Sequence, residues 1–180
     1  MEEKKVKNLM VPLCEYATVR QTASMLEAVV ALDESSKKGY NKSPHRAVLV
    51  MDEKGRIIGK LSQMDVIRSL EPKYREIGEF ARLTSYGFSR TFIRNMQKSY
   101  NLWHHPSKSL ADVASKTSVA DIMYTPSEGE FVSEDSNLRE AIHQLIVGQH
   151  QSLLVLRDKE VVGVLRFNDI FAEVVHMILG

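Results

Sequence analysis

The chain writes one phrase twice: Gly59-Lys-Leu-Ser-Gln-Met-Asp-Val-Ile67 returns as Gly163-Val-Leu-Arg-Phe-Asn-Asp-Ile-Phe171. The glycine, the leucine and the aspartate hold the same places in both. The repetition reaches well upstream. Val6, Leu9, Met10, Val19, Ser24, Glu27 and Ala28 are matched 113 positions later by Val119, Ile122, Met123, Val132, Asn137, Glu140 and Ala141. Beyond the next helix the spacing becomes 104, pairing Gly59 with Gly163, Leu61 with Leu165 and Asp65 with Asp169. A duplication at near-constant spacing implies two copies of one supersecondary unit, each leaving apolar surface that the other can cover. The nine-residue change of spacing is read in two places. Asp52–Gly59 is two residues longer than Asp158–Gly163, and the remainder falls in the polar stretch Lys37–Pro44. Both are turn segments, where length differences are tolerated.

Each copy reads as β-α-β-β-α. Ser24-Met-Leu-Glu27 has the capping-box pattern, in which the serine accepts from a free backbone N–H and the glutamate reaches back. Asn137-Leu-Arg-Glu140 is its counterpart, asparagine being an equally good cap. Met25, Leu26, Val29 and Val30 give the first helix an apolar face; Leu138, Ile142, Leu145 and Ile146 do so in the second copy. Ala47–Met51 and Arg56–Leu61 form a hairpin around Asp52-Glu-Lys-Gly55, and Leu153–Leu156 with Val161–Leu165 repeat it. A closing helix begins near each aspartate, over 64–70 and 168–179. The fold class is therefore α+β (mixed α/β): tandem repeats with pseudo-twofold symmetry and a helical insertion between them. The first repeat spans 1–70, the insertion 71–118 and the second repeat 119–180.

Composition excludes several classes. A hydrophobic content of 43% against 26% charged is ordinary for a soluble globular chain. The net charge of +1 argues against nucleic acid as a partner, since such domains carry a basic excess. No apolar run reaches the length of a membrane span, and Met1-Glu-Glu-Lys-Lys5 does not resemble a signal peptide. The lone Cys14 leaves no internal disulfide and fits a reducing, cytoplasmic compartment. The six histidines show no zinc-ligand spacing with cysteine, and no P-loop, G-x-G-x-x-G or G-x-S-x-G is present. These absences lead to the expectation of a protein that is not an enzyme and holds neither metal nor catalytic cofactor.

With its unit established, the sequence resembles a tandem pair of cystathionine-β-synthase-type (CBS) domains, a Bateman module. The resemblance covers about 6–70 and 119–175. It rests on "VKNLM" and "VADIM", on "AVLVMDEKGRIIGKLSQMD" and on "LLVLRDKEVVGVLRFND". It implies two clefts between the repeats, frequent homodimers, and adenosine-containing regulatory ligands: AMP, ADP or ATP, with NAD and S-adenosylmethionine in the same class. It places the ribose-binding carboxylate at Asp65 and at Asp169. A carboxylate accepts from both hydroxyls of a cis-diol. The same residue, in the first turn of a helix after Ser62, is also a capping-box acid, and both readings stand. Ser62 occupies the family's hydroxyl position; Arg166 replaces it in the second copy, to grip phosphate or to pair with a neighbouring acid. His45-Arg46 resembles, in part, a pair that holds phosphates in the family, Ala47 following it where an apolar residue and proline are usual; the alternative is a solvated basic pair at a strand start, and Gln151-Ser152 is read as its neutral counterpart. Met10, Pro12 and Val19, with Met123 and Val132, fall where the family builds its adenine pocket; the alternative for these is core packing.

The insertion carries a helical pattern through Phe88, Phe92, Ile93, Met96 and Tyr100 and a shorter one at Leu110, Val113 and Ala114. A further helix start is read at Glu71-Pro72. The insertion's charge of +4 against −3 elsewhere suits a docking surface, a dimer contact, a lid, or a linker whose apolar face packs on the repeats. The two functional expectations are a regulatory nucleotide sensor acting in trans on an effector protein, and a structural docking module with unoccupied clefts.

Overall fold

A computed structural model describes residues 4–37, 45–71, 73–74, 90–100 and 109–180. Its strands are β1 (Val11–Pro12), β2 (Thr18–Arg20), β3 (Ala47–Met51), β4 (Ile57–Ser62), β5 (Phe131–Ser133), β6 (Ser152–Arg157) and β7 (Glu160–Arg166). Its α-helices are α1 (Met25–Lys37), α2 (Gln63–Leu70), α3 (Arg90–Tyr100), α4 (Leu110–Lys116), α5 (Val119–Ile122), α6 (Leu138–Gly148) and α7 (Phe167–Leu179). The caps form as their sequences require. The Ser24 N–H donates to Glu27 Oε2 at 2.7 Å while Glu27 N–H donates to Ser24 Oγ at 3.3 Å. Asn137 Oδ1 accepts from Glu140 N–H at 2.9 Å. Helix α6 ends where Gln149 turns left-handed, at φ +52°, and its N–H closes back on the last turn.

Two sheets result, β2-β3-β4 and β1-β7-β6-β5. In each copy a short strand runs parallel to the first hairpin strand, and the hairpin itself is antiparallel. Val48, Leu49 and Val50 are consecutive and buried, as are Leu153, Leu154 and Val155, so the central strands are covered on both faces.

The segments entering each repeat cross over. Val6 is fully buried among Val132, Leu138, Leu153 and Leu165, the core of the second copy. Val119 is fully buried among Val19, Met25, Val48 and Leu61, the core of the first. Each contributes about 1.5–3 kcal/mol to the copy it does not precede in sequence. Backbone bridges repeat the exchange: Lys5 pairs with Asn137, and Ser118 with Ser24. Strand β1 then pairs with β7, as Tyr124 does with Lys60 of β4. This accounts for the repeated glycine. A Cβ at Gly163 would stand 2.6 Å from the Val11 carbonyl and 2.8 Å from Met10 Sδ; at Gly59 it would meet Met123 Sδ at 2.7 Å. A third buried cluster, including Val11, Tyr16, Leu49, Leu154 and Val164, joins the two sheets.

From the insertion, α4 places Ala114 and Val113 against the first core, so this part packs on the repeats. Phe92 and Tyr100 of α3 are exposed. Tyr74 N–H donates to the Glu71 carbonyl at 3.0 Å; the helix start read at Glu71-Pro72 and the pattern's first residue, Phe88, fall on positions outside the described residues, Pro72 and Phe88 among them. Among the described residues no helix is long and apolar enough to cross a membrane.

Candidate functional site

A cleft of about 580 Å³ opens between the copies. The first copy lines it with Arg46, Lys60, Ser62 and Asp65; the second with Tyr124, Glu130, His150, Gln151, Ser152 and Arg166; Tyr16 stands where they meet. Ser62 and Asp65 reach it because β4 runs directly into α2. The Ser62 side chain accepts from Asp65 N–H at 3.2 Å, and Asp65 Oδ2 accepts from Ser62 N–H at 2.9 Å and from its hydroxyl at 2.6 Å. Asp65 thus caps the helix with one oxygen, while Oδ1 lies 3.8 Å from the Arg68 guanidinium. Capping and cleft-lining are both properties of the same side chain.

The second copy is built differently. Arg166 Nε and Nη2 donate to Asp169 Oδ2 and Oδ1, each at 2.6 Å, a bidentate pair with Arg166 only 7% exposed. Of the two duplicated aspartates, Asp65 lines the cleft together with Arg166. His45 is buried and stacks on the Tyr16 ring, centroids 4.2 Å apart and planes 12° from parallel. Its Nδ1 accepts from Ala17 N–H at 3.5 Å. Burial holds the His45 imidazole below its ordinary pKa, and Arg166 nearby adds to that, against partial opposition from Asp169 and Glu15. Burial likewise pushes the Tyr16 hydroxyl up to about 12. Arg46, next to His45, is exposed and lines the cleft.

Other sequence-derived candidates sit in the packing. Val19 and Val132 are core residues of the first and second copies. Met123 and Met10 pack over Gly59 and Gly163, and Pro12 pairs with Gly163. Among the described residues no group of His, Cys, Asp and Glu could hold a metal ion, and Cys14 is exposed.

One equivalence read from the sequence needs correction. Gln151-Ser152 is not the counterpart of His45-Arg46. Ala47 pairs with Ser62 and Ser152 with Arg166, so Ser152 matches Ala47, Gln151 matches Arg46, and His150 matches His45. The hairpins decide this. Met51 pairs with Ile57 around five residues and Leu156 with Val161 around four, a difference of one residue, not two. The aspartates at 52 and 158 look alike but are not at matching positions.

A polar cluster in the cleft wall was not legible as a site. Glu130, 1% exposed, accepts from Tyr124 Oη at 2.5 Å, from Ser127 N–H at 3.1 Å and from the Lys60 ammonium. The Lys60 ammonium also stands 5.3 Å from the Tyr124 ring centroid. Burial alone would raise the Glu130 carboxyl; the hydrogen bonds from Lys60, Tyr124 and Ser127 outweigh it and hold the group below its ordinary value. Two signals existed: Ser127-Glu-Gly-Glu130 is a capping box, and Lys60 interrupts the repeated phrase where the second copy has Val164.

Known proteins locate this architecture. The structure of CBSX2 in complex with AMP matches at 18% identity and a TM-score of 0.61, over 96% of this chain and 97% of that one. The CBS domain of a CBS domain-containing membrane protein from Sphaerobacter thermophilus matches at 14% identity and 0.62, over 96% and 88%. A CBS domain-containing protein of unknown function from Kribbella flavida matches at 20% identity and 0.59, over 96% and 98%. No curated protein sequence matches the chain. The sequence model of the CBS domain matches twice, over residues 6–72 and 119–176. Two matches in tandem covering most of the chain, on a twofold-repeated fold shared with CBS-domain structures, establish that the chain belongs to the CBS-domain family and carries the domain as a pair.

Proposed function

We propose that this protein is a non-catalytic regulatory module that binds an adenosine-containing nucleotide (AMP, ADP or ATP, with NAD and S-adenosylmethionine as further members of the class) between its repeats. The observation that carries the reading is the inter-repeat cleft: its volume suits a small organic ligand, and it brings the Asp65 carboxylate together with the exposed Arg46 guanidinium, with Lys60 and Arg166, already paired with Glu130 and Asp169, in the same walls. A carboxylate suits a ribose diol, and guanidinium and ammonium groups suit phosphate. The AMP bound by CBSX2, which shares the fold, supports the same class of ligand. Because the walls come from both copies, a ligand that contacts both favours one relative arrangement, and an effector protein in trans reads that arrangement in the cytoplasm.

A thermal-shift panel of the five nucleotides tests this. A ligand at about 100 times its Kd adds about 2.7 kcal/mol, or roughly 5–10 °C for a chain of this size. A flat response to all five removes the reading and leaves the docking module.

The partner in that signalling includes a second copy of the chain. Ile67 of α2 and Phe171 of α7 occupy matching places in the two repeats and are 53% and 59% exposed, with Met64, Ile178 and Leu179 also exposed on the same helices. Apolar side chains repeated at one position mark an interface rather than scattered surface residues. The double variant Ile67→Glu/Phe171→Glu is expected to halve the mass seen by light scattering. A monomeric parent protein would end this part of the proposal.

A further inference from the structure

The duplication supplies an internal control, because each residue around one aspartate can be compared with its counterpart around the other. His45 and His150 are counterparts. The residue 113 positions after Tyr16 is Gly129. In the first copy the Tyr16 ring lies stacked on His45 at 4.2 Å and is buried. In the second, Gly129 presents no ring, and a Cβ built on it would stand 3.8 Å from His150 Nε2. The capping position differs in the same direction. Ser62 sets a small hydroxyl beside Asp65; Arg166, its counterpart, lays a guanidinium across both oxygens of Asp169. These two replacements lie far apart in sequence, yet both add bulk on the Asp169 side and withhold it on the Asp65 side. A carboxylate whose two oxygens already accept a bidentate guanidinium is poorly placed to take a ribose diol. A histidine already stacked on tyrosine has no face left on that side for a base.

We propose that the two clefts of this module are not equivalent. The one at Asp65 takes a single nucleotide with its base beside His150, and the one at Asp169 is filled by the chain's own Tyr16 and Arg166. This rests on the nucleotide reading above. Both filling residues also border the Asp65 cleft, which makes the filled half part of the wall of the open one.

Calorimetric titration of the full chain with AMP and, separately, with ATP tests the stoichiometry. One equivalent per chain is expected, and two equivalents overturn the proposal. Gly129→Tyr sets a ring beside His150, which lines the cleft, and is expected to weaken binding by about tenfold or more by taking the face of His150 proposed for the base. Binding as tight as in the parent overturns the assignment of the slot. If no nucleotide binds the parent protein, the functional reading fails, and the asymmetry is then judged without ligand. Tyr16→Gly removes a buried stacked ring and should lower the melting midpoint by about 5 °C or more, whereas Gly129→Tyr enters open space and should move it by less than about 2 °C. Equal falls in the two variants would overturn the claim that one half is filled and the other open.

Discussion

Gly163→Ala is expected to destabilise the protein by about 3 kcal/mol, although the same change inside a strand ordinarily gains stability. The ordinary gain comes from restricting the unfolded chain. Here it is outweighed because the added methyl would lie 2.6 Å from a backbone carbonyl, that of Val11, in the entry strand lying across it. A backbone group held in a strand pair cannot retreat without breaking the pairing of β1 with β7. Gly59→Ala provides the contrast. Its nearest neighbour at 2.7 Å is the flexible tip of Met123, and the Tyr124 carbonyl lies farther off at 3.2 Å. The expected cost there is about 1 kcal/mol. Urea denaturation of the two variants measures both; a Gly163→Ala protein as stable as its parent would mean the entry strand does not lie where the structure places it.

Glu130→Ala should cost about 2–3 kcal/mol, because it leaves the Lys60 ammonium, itself only 19% exposed, and the Tyr124 hydroxyl beside a vacated carboxylate. That figure sits at or below the lower end for buried pairs, since Lys60 keeps some access to water. Acid should act on the same group. Its folded pKa is depressed below the ordinary 4.5, so between those two values the unfolded chain binds more protons than the folded one. The contribution of the charged carboxylate is therefore complete above about pH 4.5 and is lost as pH falls through the folded value. The stability gap between parent and Glu130→Gln should be widest above that pH and should narrow on acidification. Comparing the two proteins cancels the depressed carboxyls of Glu134 and Asp135, whose partners are Arg157 and the lysines at 5 and 7. A gap that stays constant from pH 7 to pH 3 would rule out this role for Glu130.

The candidate site was legible where a local pattern carried it. Ser62-x-x-Asp65 names a helix start, and the capping box found there follows from those four residues alone. Its place in a cleft does not follow from them, because a cap faces whatever the neighbouring chain provides. His150 was obscured by a hairpin gap aligned on the wrong aspartate; only the strand register corrects it. The Lys60–Glu130 pair joins residues 70 positions apart, and nothing in either neighbourhood names the other.

By itself, the sequence determined the duplicated β-α-β-β-α unit, its caps and its hairpins, because these depend on periodicity and on residues within a few positions of one another. Only the tertiary structure decided that the entry segments change places, so that Val6 completes the second core and Val119 the first. Two identical apolar patterns present identical partners, and a valine preceding either copy can be buried equally well against both; chain length and geometry, not local chemistry, select between them.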